Sequence, residues 1–435
     1  MQSPDRPQTE RLAQHPLRTS LHNEVHARPP EATVAPLQVT HIVMLCDAAQ
    51  RTDSRAHLAA LALNHHLAVP DVGQTHLRLD LGRYRLRWEL HTEFVSWTFT
   101  RPLGSEREWI AQPSTALESV SQEWLAGLPG QCLAGINAWV LKDGDAGAPA
   151  LVHGLLSDDT LVAAQVSEGL AAVYTDFAMH GDGFSRLLLL DRGLSPRRLG
   201  RLLQSLLEIE TYRMAALLGL PAARETGAVL ASAERELAEL ADAIRSATRA
   251  DEPALLDRLT RLAGQVESQH AATHSRFSAS AAYFALVDER IAELAETRLG
   301  GVQTIGEFME RRLTPARSTC EWSARRQDAL SQRVSRISNL LRTRVEIEQQ
   351  QSSQDLLATM NSRQGIQLKM QATVEGLSVA AITYYIVGLI SYLVKGAQHI
   401  GWPWGPEVSA AAAIPLVAGS VWWSLRRLHA RIFNH

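Results

Sequence analysis

Two uninterrupted apolar segments close this chain. Residues 376–394 and 408–425, 19 and 18 long, contain no Asp, Glu, Lys, Arg or His. At about 1.5 Å of helical rise per residue, each is close to the length needed to cross a hydrocarbon layer of ~30 Å. A helix is also the one local structure that satisfies its own backbone in lipid. The 375 residues before them read as soluble. The expected layout is a large water-exposed body on a C-terminal membrane hairpin, with the lipid bilayer as first partner.

Flanking charge orients the hairpin. Arg363 and Lys369 precede the first segment, and Arg426, Arg427 and Arg431 follow the second. Lys395 is the only basic residue in the loop between them. The positive-inside rule places both termini in the cytoplasm of a bacterial inner membrane. Trp402, Trp404, Trp422 and Trp423 fall near the expected interfaces, where indoles are favoured. The competing reading of the second segment is a buried helix of a soluble domain. The first 20 residues lack an apolar core and do not read as a secretory signal.

Composition narrows the partners. Lys and Arg total 43 against 46 Asp and Glu, a formal charge of −3. Nothing there calls for nucleic acid, and the arginines alternate with acids on helical stretches. Cys46, Cys132 and Cys320 are widely spaced, which suits a reduced compartment.

The pattern along the chain predicts an α+β protein. Residues 1–35 read as an extended arm and 36–194 as a mixed α/β domain. Strands are expected at 36–46, 76–81, 84–90, 93–101, 131–141, 161–166, 171–177 and 184–190. Helices are expected at 54–69 and 113–125, and a loop at 143–149. Residues 195–313 read as long helices, opened by Ser195-Pro196 and interrupted at Gly219 and Pro221. A stalk helix follows over 314–375, starting at Pro315, with Leu330, Val334, Ile337, Leu341 and Val345 as an apolar seam. Its glutamines (Gln349, Gln350, Gln351, Gln354, Gln364, Gln367 and Gln371) leave it polar all round, so it reads as a solvated connector or as the lining of an oligomer axis. The hairpin takes 376–425, and 426–435 is a basic tail.

Two acid/imidazole strings carry the best candidate chemistry. In LHNEVHARPP, His22, Glu24 and His26 alternate, so an extended backbone points them the same way. In WELHTEF, Glu89, His91 and Glu93 share one face of a strand in the same manner. Two imidazoles and a carboxylate suit a divalent metal such as zinc. The competing readings are a structural arm and a salt-bridged strand surface. ETYRMAALLGLP pairs Glu210 with Arg213 one turn apart, a packing and ion-pair motif. Asp182, Asp191 and Arg192 flank an apolar strand. Phosphate-loop, dinucleotide, nucleophile-elbow and HExxH signatures are absent from the sequence. In the apolar segments, Thr383, Tyr384, Tyr385, Ser391 and Tyr392 are the polar groups that would line a pore or join helices, with the three tyrosines facing the axis if the chain is a channel.

Four strings (LHNEVHARPP, WELHTEF, ETYRMAALLGLP and EGLSVAAITYYIVGLISYLVKG) together resemble a bacterial family of uncharacterised membrane-anchored proteins. That resemblance runs across nearly the whole chain and implies a membrane location without an activity. The layout is also similar to the CorA-type divalent cation transporters, homopentamers whose long helices line the pore. The Gly-Met-Asn that ends the first span in that family is replaced here by Tyr392-Leu393-Val394-Lys395-Gly396, so no pore residue carries over. Three functions follow as expectations. The first is a cytoplasm-facing, membrane-anchored homo-oligomer with a scaffold, sensing or assembly role. The second is an ion channel or transporter. The third is a metal-dependent enzyme using His22, Glu24, His26, His91 and Glu93.

Overall fold

A computed structural model describes residues 13–19, 21–22, 29–71, 73–103, 113–144, 148–398 and 403–432. The chain forms two compact units, Met1–Ile337 and Ser338–His435. The protein is α+β, with one nine-stranded sheet, long helices and two apolar helices at the C-terminal end.

The first unit is built on the sheet. Its strands are β1 (Leu37–Leu45), β2 (His76–Asp80), β3 (Arg85–Leu90), β4 (Phe94–Pro102), β5 (Gln131–Lys142), β6 (Val162–Val166), β7 (Ala171–Thr175), β8 (Ser185–Asp191) and β9 (Thr297–Arg298). They lie in the order β2-β3-β4-β1-β5-β8-β7-β6-β9. The β5–β8 pair is parallel and every other neighbouring pair is antiparallel.

Period-2 alternation gives the sheet two faces. On one face, Ile42, Leu86, Trp88, Trp97 and Phe99 pack with Leu58, Leu61 and Ala62 of α1 (Ala48–Asn64). Farther along that face, Trp139, Leu188 and Leu190 meet Leu151, Val152 and Leu155, which lie in a helix at Ala148–Leu155. The opposite face is apolar over β5 to β8, where Ile136, Val140, Val162, Val173 and Leu189 are buried under helices. Over β3 and β4 the same face turns polar: Arg87 and Glu89 stand beside Ser96 and Thr98 in register with them.

Local chemistry explains where elements start. α1 begins six residues earlier than expected because Asp47 and Gln50 form a capping box, the Asp47 carboxylate accepting from Gln50 N–H at 2.8 Å. The helix expected over 113–125 is split into a tight turn at Ala116–Ser119 and α2 (Gln122–Ala126), which Ser121 caps. The segment 148–155, partly read as loop, is helix α3.

Four long helices follow: α4 (Pro196–Leu217), α5 (Gly219–Ser246), α6 (Glu252–Glu293) and α7 (Ile305–Gln398). Gly219 and Pro221 start α5, since Pro needs no backbone donor in a first turn. Pro315 does not begin a helix; it sits inside α7 on an exposed side, with Arg311 and Thr314 exposed beside it. Leu230, Leu237 and Leu240 of α5, Leu255, Leu259 and Leu262 of α6, and Leu330 and Val334 of α7 are buried at helical spacing. Thr273 joins Gln327 at 3.1 Å, and Arg326 pairs with Glu234 at 2.5 Å.

The second unit holds α7 from Ser338 onward and α8 (Pro406–Ile432). Gln349, Gln350, Gln351, Gln364, Gln367 and Gln371 are exposed, as are Leu356, Ile366, Met370 and Val374 on the same stretch.

Candidate functional site

The polar part of the sheet meets α4 and α6 in a buried hydrogen-bonded layer. Its centre is His41 on β1, which is 5% exposed. His41 Nδ1 lies 2.8 Å from Thr98 Oγ1 and Nε2 lies 3.1 Å from Thr211 Oγ1. The Thr211 hydroxyl donates to Leu207 O at 2.9 Å, so it accepts from Nε2–H and leaves Nδ1 to accept from Thr98. Burial, followed by the nearby Arg87 and His91, pushes the imidazole down to about 3, so it is neutral.

A chain of contacts runs outward from there. Ser96 donates to Glu89 at 3.4 Å, and Arg87 pairs with Glu89 at 3.2 Å. Arg87 donates to Gln204 at 3.4 Å, and Gln204 donates to Glu208 at 2.7 Å. Arg290 of α6 then bonds Glu208 at 2.5 Å and Glu293 at 2.9 Å. The chain ends in a cleft of about 480 Å³, lined by Arg198, Arg201, Ser205, Arg290, Glu293 and the Ser167–Glu168 turn. The cleft is charged on both sides, with Arg198 lying 3.6 Å from Glu168.

The N-terminal arm crosses α4 beside this cleft. Thr33 N–H donates to Pro196 O at 2.9 Å, and Arg85 pairs with Glu31 at 2.5 Å. Gly200 is required at the crossing, because a Cβ there would lie 1.8 Å from Glu31 O.

The WELHTEF string does not keep one strand face. β3 ends at Leu90 and β4 begins at Phe94, because His91 N–H closes a tight turn onto Phe94 O at 2.9 Å. Glu89 remains on the strand and joins the layer. The His91 ring stacks on Phe94 at 4.3 Å. Glu93 accepts from Arg276 at 2.8 Å and from Tyr283 at 3.0 Å, both on α6. Burial and that carboxylate raise the Tyr283 phenol, and burial with Glu208 raises Tyr212, which stacks on Tyr283 at 5.9 Å. Glu24 and His26 lie outside the described residues, while His22 is described and exposed. Among the described residues no group of three His, Cys, Asp or Glu side chains is gathered to hold a metal.

The other strings have structural tasks. Glu210 is buried, accepts two bonds from Arg213 at 2.7 and 2.8 Å, and accepts from Ser185 at 3.2 Å. Arg213 lies over the Phe177 ring at 5.1 Å. Asp182 and Asp191 accept backbone N–H groups that close the turns before and after β8. Sequence reasoning missed Asp176, whose buried carboxylate accepts Ser157 and Ala178 N–H and faces His180 Nε2 at 2.8 Å. It also missed Gln204, Arg276 and Arg290. The one signal for the layer was the alternation of Arg87 and Glu89 with Trp88 and Leu90.

In the second unit, Tyr384, Tyr385 and Tyr392 line a concavity of about 860 Å³ together with Thr383, Ser391 and Lys395. The three tyrosines are 71–77% exposed.

A family model described as "Protein of unknown function (DUF3422)" matches residues 13–432. The chain belongs to the DUF3422 family. All four strings that carry the resemblance to an uncharacterised family fall inside the matched span. No curated protein and no solved structure matches the chain.

Proposed function

We propose that this DUF3422 chain is a membrane-anchored homo-oligomer that holds its α+β unit on the cytoplasmic face and serves there as a scaffold or sensor, not as a catalyst. One observation carries the reading: the apolar windows of α7 and α8 are wholly unburied. A core helix of a soluble protein passes the same test of length and composition but is mostly covered. Here Leu389, Leu393 and Leu416 are 63–76% exposed. Water contact would cost each about 25 cal/mol per Å² of apolar surface, and a bilayer removes that cost.

The flanks support the orientation. Arg426 lies over Trp422 at 5.0 Å and Arg427 over Trp423 at 4.8 Å, pairing a cation with an indole as headgroup-level anchors do. In the first unit, Arg87, Arg276 and Arg290 each pair with a carboxylate of the layer. Such pairing suits a polar element that fixes the helices on the sheet and ends at a ligand-sized cleft.

The test is membrane extraction followed by topology mapping. The full chain should stay in the pellet after alkaline carbonate. In a Cys132→Ser background, Lys395→Cys should label from outside intact spheroplasts, and Glu123→Cys only in inverted vesicles. Release by carbonate, or the reverse labelling, overturns the reading. The concavity around Tyr384 favours transport as the second reading. Flux of Mg²⁺, Zn²⁺, Co²⁺ or monovalent ions from proteoliposomes would replace the scaffold role with that one.

A further inference from the structure

We propose that Tyr384 and Tyr385 form the contact between copies of this chain in the middle of the bilayer, each hydroxyl bonding the equivalent hydroxyl of a neighbouring copy. The inference rests on the membrane reading above and names the surface through which the oligomer forms.

The argument starts from an imbalance among the hydroxyls of the apolar helices. Ser378, Thr383 and Ser391 donate to Val374, Val379 and Val387 carbonyls of their own helix at 2.9, 2.7 and 3.1 Å. Ser420 does the same with Val417 O at 2.9 Å. Short side chains can satisfy themselves in this way, but a tyrosine hydroxyl extends beyond the reach of its own backbone. The hydroxyls of Tyr384, Tyr385 and Tyr392 have no hydrogen-bond partner among the described residues.

Depth makes this costly. Residues 376–394 form the apolar segment, so Tyr384 and Tyr385 lie at its midpoint, about 13 Å of helix from either end. Tyrosine is favoured at membrane interfaces, where its hydroxyl reaches water; at the midplane there is none. A hydroxyl without a partner in an apolar medium is strongly disfavoured.

Depth also selects the occupant. Every copy inserts with the same topology, so identical residues of parallel copies meet at the same level. A contact at that level must be self-complementary. A hydroxyl qualifies because it is both donor and acceptor. Ala380 and Gly388 lie beside Tyr384 on the concave face and leave room for a ring from the next helix. The area is adequate. Three tyrosine side chains at this exposure offer on the order of 450 Å². That is over half of the ~800 Å² per partner in a specific interface. Leu377 and Leu389, 66% and 63% exposed, flank them.

The test uses the full-length protein in native membranes and in liposomes. Ala381→Cys keeps both tyrosines and projects within about 10° of their bisector, at 100° per residue. Leu393→Cys projects about 130° away. Oxidation should cross-link Ala381→Cys into dimers and leave Leu393→Cys at the wild-type background. In liposomes, Tyr384→Phe/Tyr385→Phe should weaken self-association, followed by energy transfer between labelled copies on lipid dilution. About 0.6 kcal/mol per interhelical hydrogen bond corresponds to roughly threefold for each hydroxyl pair, or about eightfold for both. Equal cross-linking at both cysteines, or unchanged association of the double Phe variant, overturns the proposal. So does labelling of Ala381→Cys by a membrane-impermeant maleimide, which would put water against this face. Carbonate release of the wild-type chain would instead strike the membrane reading itself, and is measured separately.

Discussion

Acidification should destabilise the α+β unit through His41, and the effect should vanish in one variant. An imidazole free in the unfolded chain titrates near 6.5, whereas burial in the polar layer holds His41 at about 3. Between those values the unfolded chain takes up a proton that the folded one refuses. Stability is therefore full above pH 6.5 and is lost as pH falls toward 3. Across the full gap the contribution is about 5 kcal/mol, and from pH 7 to pH 5 it is roughly 2 kcal/mol. Urea unfolding of the solubilised full chain can be followed by tryptophan emission, since Trp88 and Trp97 are fully buried close to this layer. His41→Gln retains a group able to bond Thr98 or Thr211 but cannot titrate. The variant should start about 1–3 kcal/mol less stable at pH 7, from imperfect hydrogen bonding. From there to pH 5 it should lose about 2 kcal/mol less than wild type. Carboxylates that titrate near pH 5 are common to both chains and cancel in the difference. Parallel stability curves for the two proteins over pH 5–7 would refute the reasoning.

Two further perturbations test the packing around the layer. Gly200→Ala drives a Cβ to within 1.8 Å of Glu31 O, so the arm must lift off α4. The expected cost is about 2–3 kcal/mol, read as a lower unfolding midpoint together with faster proteolytic clipping before residue 36. Glu210→Gln leaves Arg213 half-buried without its carboxylate and should cost roughly 3–5 kcal/mol. Glu210→Leu/Arg213→Met removes both charges and should recover most of that loss. A double variant no more stable than the summed effects of Glu210→Leu and Arg213→Met measured separately would show the pair to be uncoupled.

The regular parts of the fold were legible because alternation is local. RLRWEL and FVSWTFT each announce two faces, and the pairing of Trp88 with Trp97 follows once the hairpin is placed. Turn and cap chemistry was less visible. The Asp47–Gln50 box lies in a stretch without a strong apolar stripe, the helix Ala148–Leu155 is short and opens on the Gly/Asp/Pro-rich run that reads as a loop, and Pro315 reads as a helix start although it lies inside α7. The polar layer was half legible. Glu89 and Glu93 stood out as acids, but their tasks depend on partners far along the chain. Arg276 and Tyr283 lie 183 and 190 positions from Glu93. Arg87 meets Gln204 across 117 positions. No periodicity links such pairs, because they are chosen by which helix lies over which strand. The tyrosines of α7 were the opposite case. Their identity and depth were plain in the sequence, and what the structure adds is that no hydrogen-bonding group among the described residues reaches their hydroxyls.

The crossing of the arm over Gly200 has a consequence for synthesis. Glu31 and Thr33 leave the ribosome about 165 residues before the helix turn they must lie against. At ~5–20 residues per second, that is an interval of roughly ten to thirty seconds. During that interval β2, β3 and β4 can pair with β1, but the polar face of the resulting sheet has no cover. Arg87 and Glu89 keep that nascent face wet and poorly adhesive until α4 emerges, and the N-terminal arm can then lie across α4 before α6, which supplies Arg276, Tyr283 and Arg290 to the layer, has been made.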